Sequence, residues 1–200
     1  FVWGDLKEHK LHIRKYALHT KIVLITSLIL IIGPSILFLI LERHALFADM
    51  NTPQAILNAL FCAVTPRTAG FNTTDIASLS QSSQLLTIIL MFIGGCPGST
   101  AGGAKVTTIT VLILYLRSML TRTDGVNIFK RRLEDEAVSK AAAVFTTHML
   151  LAVAATFLIS MQQDLDLTVI VFDVVSAVST VGMSTGITPH LVPGAKVILI

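Results

Sequence analysis

Thr68-Ala69-Gly70-Phe71-Asn72-Thr73 and Thr180-Val181-Gly182-Met183-Ser184-Thr185 are one segment written twice, 112 residues apart. Laid side by side without a gap, Thr, Gly and Thr coincide, and Ala/Val, Phe/Met and Asn/Ser are like pairs. Three identities in six positions are weak alone, and the flanking sequence is what strengthens them. Each copy follows a twelve-residue uncharged or nearly uncharged stretch, Pro53 to Val64 and Leu167 to Val178, with Asp173 inside the second. Such stretches are too short to cross a bilayer and have the length of re-entrant segments. Upstream of each lies a longer apolar run. Ile22 to Leu41 has no charge, and in Ala141 to Met161 only His148 could carry one. Runs of about 20 apolar residues span ~30 Å of hydrocarbon as helices. The unit is therefore span, short re-entrant helix, polar loop and second helix, present twice.

Composition agrees with lipid as the solvent. Hydrophobic residues make up 53% of the chain and charged ones 14%, with a mean hydropathy of +0.76; soluble domains are nearer a quarter charged. The net charge of +3 could suggest nucleic acid. The charges sit just outside the apolar runs, however, as membrane topology signals do, so no nucleic-acid partner is expected. Cys62 and Cys96 lie in apolar or Gly-rich stretches and read as free thiols. The chain begins at Phe1 and ends in an apolar run, which reads as an internal piece of a longer protein.

The stretch Leu85 to Leu116 is uncharged apart from Lys105. As one straight helix it would run ~48 Å, too long for the hydrocarbon unless tilted or broken. Gly94-Gly95-Cys96-Pro97-Gly98-Ser99-Thr100-Ala101-Gly102-Gly103 supplies the break. Gly33-Pro34 predicts a kink in the first span. Thr52 as N-cap with Pro53 behind it starts the first short helix, and Asp166 caps the second. Lys7, Lys10, Arg14, Lys15 and Lys21 precede the first span, and Arg117, Arg122, Lys130, Arg131, Arg132 and Lys140 precede the last. The positive-inside rule makes these segments cytoplasmic in a multi-pass protein of the cell membrane.

The organisation is thus all-α and integral to the membrane, with two helix–pore loop–helix repeats of a potassium-channel-like fold. Residues 1–20 form a cytoplasmic segment and 21–118 the first repeat. Residues 119–136 form a cytoplasmic loop, and 137–200 the second repeat with a truncated last helix.

Loops of this kind have a chemistry set by the backbone. A pore that passes a bare alkali cation must replace its water shell with oxygens, and backbone carbonyls do so without trapping the ion. Turning successive carbonyls inward needs unusual dihedrals, which Gly70 and Gly182 supply. The short helix before each loop aims its partial negative end at the cavity. Carbonyls of Thr68, Ala69, Gly70, Phe71 and Asn72, and of Thr180, Val181, Gly182, Met183 and Ser184, are the candidate ion ligands, with potassium at Gly70 and Gly182. The plainer alternative is a pair of tight turns between buried helices.

Thr65-Pro66-Arg67-Thr68-Ala69-Gly70-Phe71-Asn72-Thr73 and Met91-Phe92-Ile93-Gly94-Gly95-Cys96-Pro97-Gly98-Ser99-Thr100-Ala101-Gly102-Gly103-Ala104-Lys105 resemble the Ktr/Trk/HKT superfamily of potassium transporters, best the bacterial membrane subunit of the Ktr type. The run Ser179 to Thr188 is similar to that family's last repeat, so the resemblance covers essentially the whole chain. It implies four such repeats per chain, of which this sequence holds the third and most of the fourth. It further implies a homodimer of the full-length subunit and a cytosolic nucleotide-binding RCK regulatory ring. Potassium is the substrate, and no cofactor is implied. The family keeps one Gly per filter where tetrameric potassium channels keep two, as this sequence does.

By the same resemblance Gly94, Gly95, Gly98, Ser99, Thr100, Gly102, Gly103 and Lys105 form an intramembrane gate, the alternative being a passive kink. A phosphate loop fails on spacing, because Ala104 and not Lys follows Gly103. Arg67 and Asp173 are charges at membrane depth and need partners, so they are expected to brace the filters. Asp75 either concentrates cations at the outer mouth or caps a turn. Lys105 either restrains the gate or snorkels to the interface. His148 either packs with a local hydrogen bond or relays protons. No nucleophile–base pair or metal-ligand spacing argues for an enzyme. Two rivals to potassium uptake remain: a sodium-permeable variant on the same scaffold, and a non-conducting assembly module.

Overall fold

The computed structural model describes residues 16–99, 101–122, 127–128, 131–132 and 135–200. Helix α1 (Leu18–Leu41) is followed by α2 (Thr52–Val64), α3 (Gln81–Ile93), α4 (Val106–Leu120), α5 (Asp135–Ser160), α6 (Leu167–Val178) and α7 (Pro193–Leu199). A two-residue antiparallel ladder, β1 (Asn127–Ile128) with β2 (Arg131–Arg132), is the sheet structure among the described residues. Lys130 and Glu134 of the basic segment, Lys7, Lys10, Arg14 and Lys15 of the first one, and Thr100 of the Gly-rich run lie outside them.

Two helices, Leu18–Leu41 and Glu136–Ser160, are long and apolar enough to cross a membrane. Their apolar side chains are largely exposed, Leu28, Ile29 and Ile40 on α1 and Leu150, Val153 and Phe157 on α5 among them. Such faces suit lipid or further helices better than water. Pro34 lies inside α1, yet the helix runs unbroken through it. Beside it the Ser35 hydroxyl donates to the Ile31 carbonyl at 2.6 Å, whereas the carbonyl that Pro34 leaves without an amide donor is that of Leu30.

The two short helices start as their sequences dictate, with one correction. The N-cap of α2 is Asn51 and not Thr52: the Asn51 amide donates to Gln54 Oε1 at 3.3 Å, the return half of a capping box. Asn and Thr are both competent caps, and the one with a Gln three residues on takes the position. Asp166 caps α6 as expected, accepting from the Thr168 amide at 3.1 Å.

The 112-residue repeat extends far beyond the six-residue match. The 3₁₀ turns Ile76–Ser78 and Thr188–His190, the caps Ser80 and Val192, and the starts of α3 and α7 at Gln81 and Pro193 all keep that offset. α7 thus stands where α3 stands in the first repeat. Between them the repeats bury one main core around α6, with Ile170, Phe172, Val174 and Val175 against Ile88 and Met91 of α3 and Ala152 and Ile159 of α5. A second cluster joins α1 to α2 through Phe38, Ala59, Cys62 and Ala63. Phe92 and Phe145 meet edge to face with centroids 5.4 Å apart. α6 is buried over most of its length, Asp173 and Ser176 included, while Leu167 at its start is 61% exposed.

Each repeat also carries a clamp that composition does not reveal. Glu42, fully buried just past the end of α1, accepts from the Ser80 amide at 3.0 Å and the Ser80 hydroxyl at 2.7 Å. In the second repeat Gln163 Oε1 accepts from the Val192 amide at 3.0 Å. Ser80 and Val192 are equivalent caps, so a side chain from the end of each span ties down the start of α3 in the first repeat and of α7 in the second. Burial pushes the Glu42 carboxyl up. Hydrogen bonds from the hydroxyls of Ser83 and Ser80 and the amides of Ser80 and Leu46 outweigh it, leaving the group below its ordinary 4.5. A carboxyl held low in the folded state contributes stability above its ordinary value and loses it as pH falls through the folded one. Glu42→Gln is therefore expected to flatten the acid limb of the melting temperature as pH falls below the ordinary 4.5. Gln already fits the equivalent clamp in the second repeat, so the variant should fold; an unchanged acid limb in thermal melts would refute this role.

Candidate functional site

The two quoted loops sit at the C-terminal ends of α2 and α6. Thr68 and Gly70 have φ of 67° and 72°, and Thr180 and Gly182 have φ of 54° and 83°. Among described non-glycine residues only Thr68, Lys105, Arg122 and Thr180 lie in that region, so Ala69 and Val181 between them do not. Alternating left-handed with ordinary backbone turns successive carbonyls toward one side. A threonine in the left-handed region is uncommon and strained, so the same pattern at matching positions is a built feature.

The loops lie against one another. A β-carbon at Gly70 would stand 2.3 Å from the Val181 carbonyl oxygen. Ala69, Phe71, Asn72, Thr180 and Gly182 are exposed, Phe71 by 73%. One side of the paired loops is open, and the other is anchored by hydrogen bonds. In the first loop the amides of Ala69 and Gly70 donate to the Thr65 carbonyl at 3.1 and 3.3 Å, and the Thr65 hydroxyl donates to the Phe71 carbonyl. In the second, the amides of Thr180 and Val181 donate to the carbonyls of Ala177 and Ser176 at 2.9 and 2.8 Å.

Asp173 is the principal brace of the second loop. It is 5% exposed, and its carboxylate accepts from the Ser184 hydroxyl (2.8 Å), the Thr185 amide (3.0 Å), the Thr185 hydroxyl (3.1 Å) and the Thr188 hydroxyl (2.9 Å). Position 61, its counterpart in the first repeat, is Phe, and there the Thr65 hydroxyl holds the loop instead. Arg67 reaches elsewhere. Its guanidinium donates to Ser27 Oγ on α1 at 3.2 Å and to Cys96 Sγ at 3.5 Å, and its buried Nε has no partner. It joins the first loop, the first span and the Gly-rich run.

That run, between α3 and α4, folds back on itself directly against both loops. A β-carbon at Gly94 would stand 2.5 Å from the Gly102 carbonyl oxygen, and one at Gly103 2.9 Å from Gly94 Cα. The Ala104 amide donates to the Phe92 carbonyl at 3.2 Å and the Val106 amide to the Gly95 carbonyl at 3.0 Å. The two arms are so close that only hydrogen fits at these positions. The Gly102 amide reaches the second loop and donates to Thr180 Oγ1 at 2.9 Å. Gly95 lies near the first, where a β-carbon would be 3.6 Å from Thr68 Oγ1. Lys105, at φ 71°, donates from Nζ to the Ala101 carbonyl inside the run. Gly98 and Ser99 are exposed at its tip.

The remaining candidates have local roles. Asp75 accepts from the Ala77 amide at 3.1 Å and caps the 3₁₀ turn. His148 pairs its Nδ1 with the Val144 carbonyl at 2.9 Å, one turn back. Cys62 and Cys96 are free thiols. Sequence does not show Glu42 and Gln163 as partners, because the groups that donate to them lie at the caps of α3 and α7, beyond the intervening short helix. The signal that could have found them is a polar residue repeated just after each span.

A family model described as TrkH, "Cation transport protein", matches residues 7–200. The chain is 36% identical to the potassium/sodium uptake protein NtpJ of Enterococcus hirae, over all of this chain and 45% of that protein. It is 34% identical to the Ktr system potassium uptake protein B of Vibrio alginolyticus, over all of this chain and 44% of that protein. It superimposes on the crystal structure of the potassium transporter TrkH from Vibrio parahaemolyticus with a TM-score of 0.69 at 22% identity, covering 87% of this chain and 39% of that one. The chain spans somewhat under half the length of these relatives.

Proposed function

The chain belongs to the TrkH family of cation transport proteins, and from that premise we propose that it forms half of a gated pore for potassium uptake across the cell membrane. The observation that carries this reading is the left-handed backbone at Thr68 and Gly70, repeated at Thr180 and Gly182. It stands at the foot of two short helices whose partial negative ends favour a cation there. The exposed side of the loops is where the remainder of a four-part ring would close, which accords with the fraction of its relatives that the chain spans. The Gly-rich run between α3 and α4 is the gate, lying against both filters and released when the path opens. The basic segments face the cytoplasm, and the intact subunit is a homodimer on a cytosolic nucleotide-binding RCK ring. Asp173 and Arg67 hold the machinery without touching the ion.

A sodium-permeable pore is the second reading, favoured by the sodium in the name of the NtpJ relative and by a single Gly per filter. Rubidium uptake into liposomes containing the intact protein, with bi-ionic potentials in potassium and sodium, separates the possibilities. We expect uptake, with potassium passing ahead of sodium. Equal permeability would replace selectivity with the second reading, and no uptake in either salt would leave an assembly module.

A further inference from the structure

Thr68 and Thr180 are equivalent residues in equivalent left-handed conformations, but their hydroxyls are used differently. Thr68 Oγ1 donates to the adjoining Arg67 carbonyl at 2.6 Å. Thr180 Oγ1 instead accepts from the Gly102 amide of the Gly-rich run at 2.9 Å. At Gly102 a β-carbon would stand 2.3 Å from Thr180 Oγ1 and 2.5 Å from the Ser179 carbonyl oxygen. The backbone of the run is therefore seated on the first oxygens of the second filter.

A hydroxyl oxygen has two lone pairs and one proton. With one lone pair held by an amide, the oxygen faces the positive end of an N–H dipole, which disfavours a cation beside it. The backbone at Gly102 also fills space next to the Ser179 and Thr180 oxygens that a cation would need. Resting on the reading of these loops as an ion path, we propose that the Thr180 hydroxyl is shared between the ion and the gate, so that a monovalent cation at the inner end of the second filter and the docked Gly-rich run exclude each other. The gate then senses the permeant ion directly: a filled filter loosens the run, and an empty one holds it. The first filter is not coupled in this way: Thr68 Oγ1 donates to the Arg67 carbonyl, and no amide among the described residues of the run donates to it as Gly102 does to Thr180.

The test follows exposure of the run in the intact protein in liposomes. Ser99→Cys places a thiol at the exposed tip, and its alkylation rate is read by peptide mass spectrometry in potassium and in N-methyl-D-glucamine at equal ionic strength. Alkylation is expected to be about fivefold faster in potassium, the factor that one net hydrogen bond supplies. Thr180→Val removes that difference, and Thr180→Ser, which keeps the hydroxyl, retains it. Equal rates in the two salts without any change at Thr180 overturn the proposal even if the valine variant does not fold, as does an ion dependence that survives in Thr180→Val. Rubidium uptake by the same liposomes distinguishes the failures. Uptake with ion-independent alkylation removes only the sharing of Thr180, whereas no uptake removes the ion path and the sharing together.

Discussion

Gly70→Ala is expected to abolish cation uptake by the intact protein, and Gly182→Ala to leave a folded transporter with poorer discrimination between potassium and sodium. The two glycines have φ of 72° and 83°, where an alanine costs about 1–2 kcal/mol. Their surroundings differ. The new methyl at position 70 would meet the Val181 carbonyl oxygen at 2.3 Å, so one filter must move off the other. At position 182 nothing in this chain lies within 4 Å, and strain is the whole cost. In a site that works by placing atoms, a displacement of ~1 Å costs about a hundredfold. Rubidium uptake should therefore fall at least about a hundredfold for Gly70→Ala. A Gly70→Ala protein with native uptake would show that these carbonyls do not line the path. Uptake lost equally in both variants would show that backbone strain, and not contact between the filters, decides.

The repeat was legible because its chemistry is local. Left-handed backbone wants Gly, and short apolar segments ending in polar loops have few uses in a membrane. The 112-residue offset found in six residues therefore continued through the 3₁₀ turns and the caps of the next helices. The break in the long apolar stretch was visible for the same reason, since ten residues containing five glycines and a proline do not continue a helix. Partners across the fold were not legible. Nothing in the sequence around Glu42, a charge just past the end of a span, points to Ser80, yet Glu42 is fully buried and bonded to that residue 38 positions away. Arg67 needs a partner at that depth, but nothing in the sequence chooses Ser27 and Cys96 over filter atoms. Cost at depth can be read from one residue; the relief of that cost depends on which helices meet. The choice of Asn51 over Thr52 is a smaller case, in which two good caps compete and a third residue decides.

Asp173 shows how much one such charge holds. Asp173→Ala leaves four donors without their acceptor, and only the three hydroxyls can turn to other partners. The Thr185 amide is fixed by the backbone. Hydrogen bonds to a charged acceptor are worth about 1.5–3 kcal/mol each and are not additive among neighbours, so the expected loss is roughly 3–5 kcal/mol. It falls on the segment 184–188, which holds the far end of the second filter. Asp173→Asn is a different experiment. Its carbonyl can still accept from the Thr185 amide while its NH₂ donates to the hydroxyls of Ser184 and Thr188, which can reverse their roles. We expect the alanine variant to melt well below the native protein and to lose potassium selectivity, and the asparagine variant to cost about 1 kcal/mol and keep it. Melting followed in detergent, with bi-ionic potentials in liposomes, reads both. If asparagine lost selectivity at native stability, the charge of Asp173 would act on the ion itself, and its role as a brace would be the wrong one.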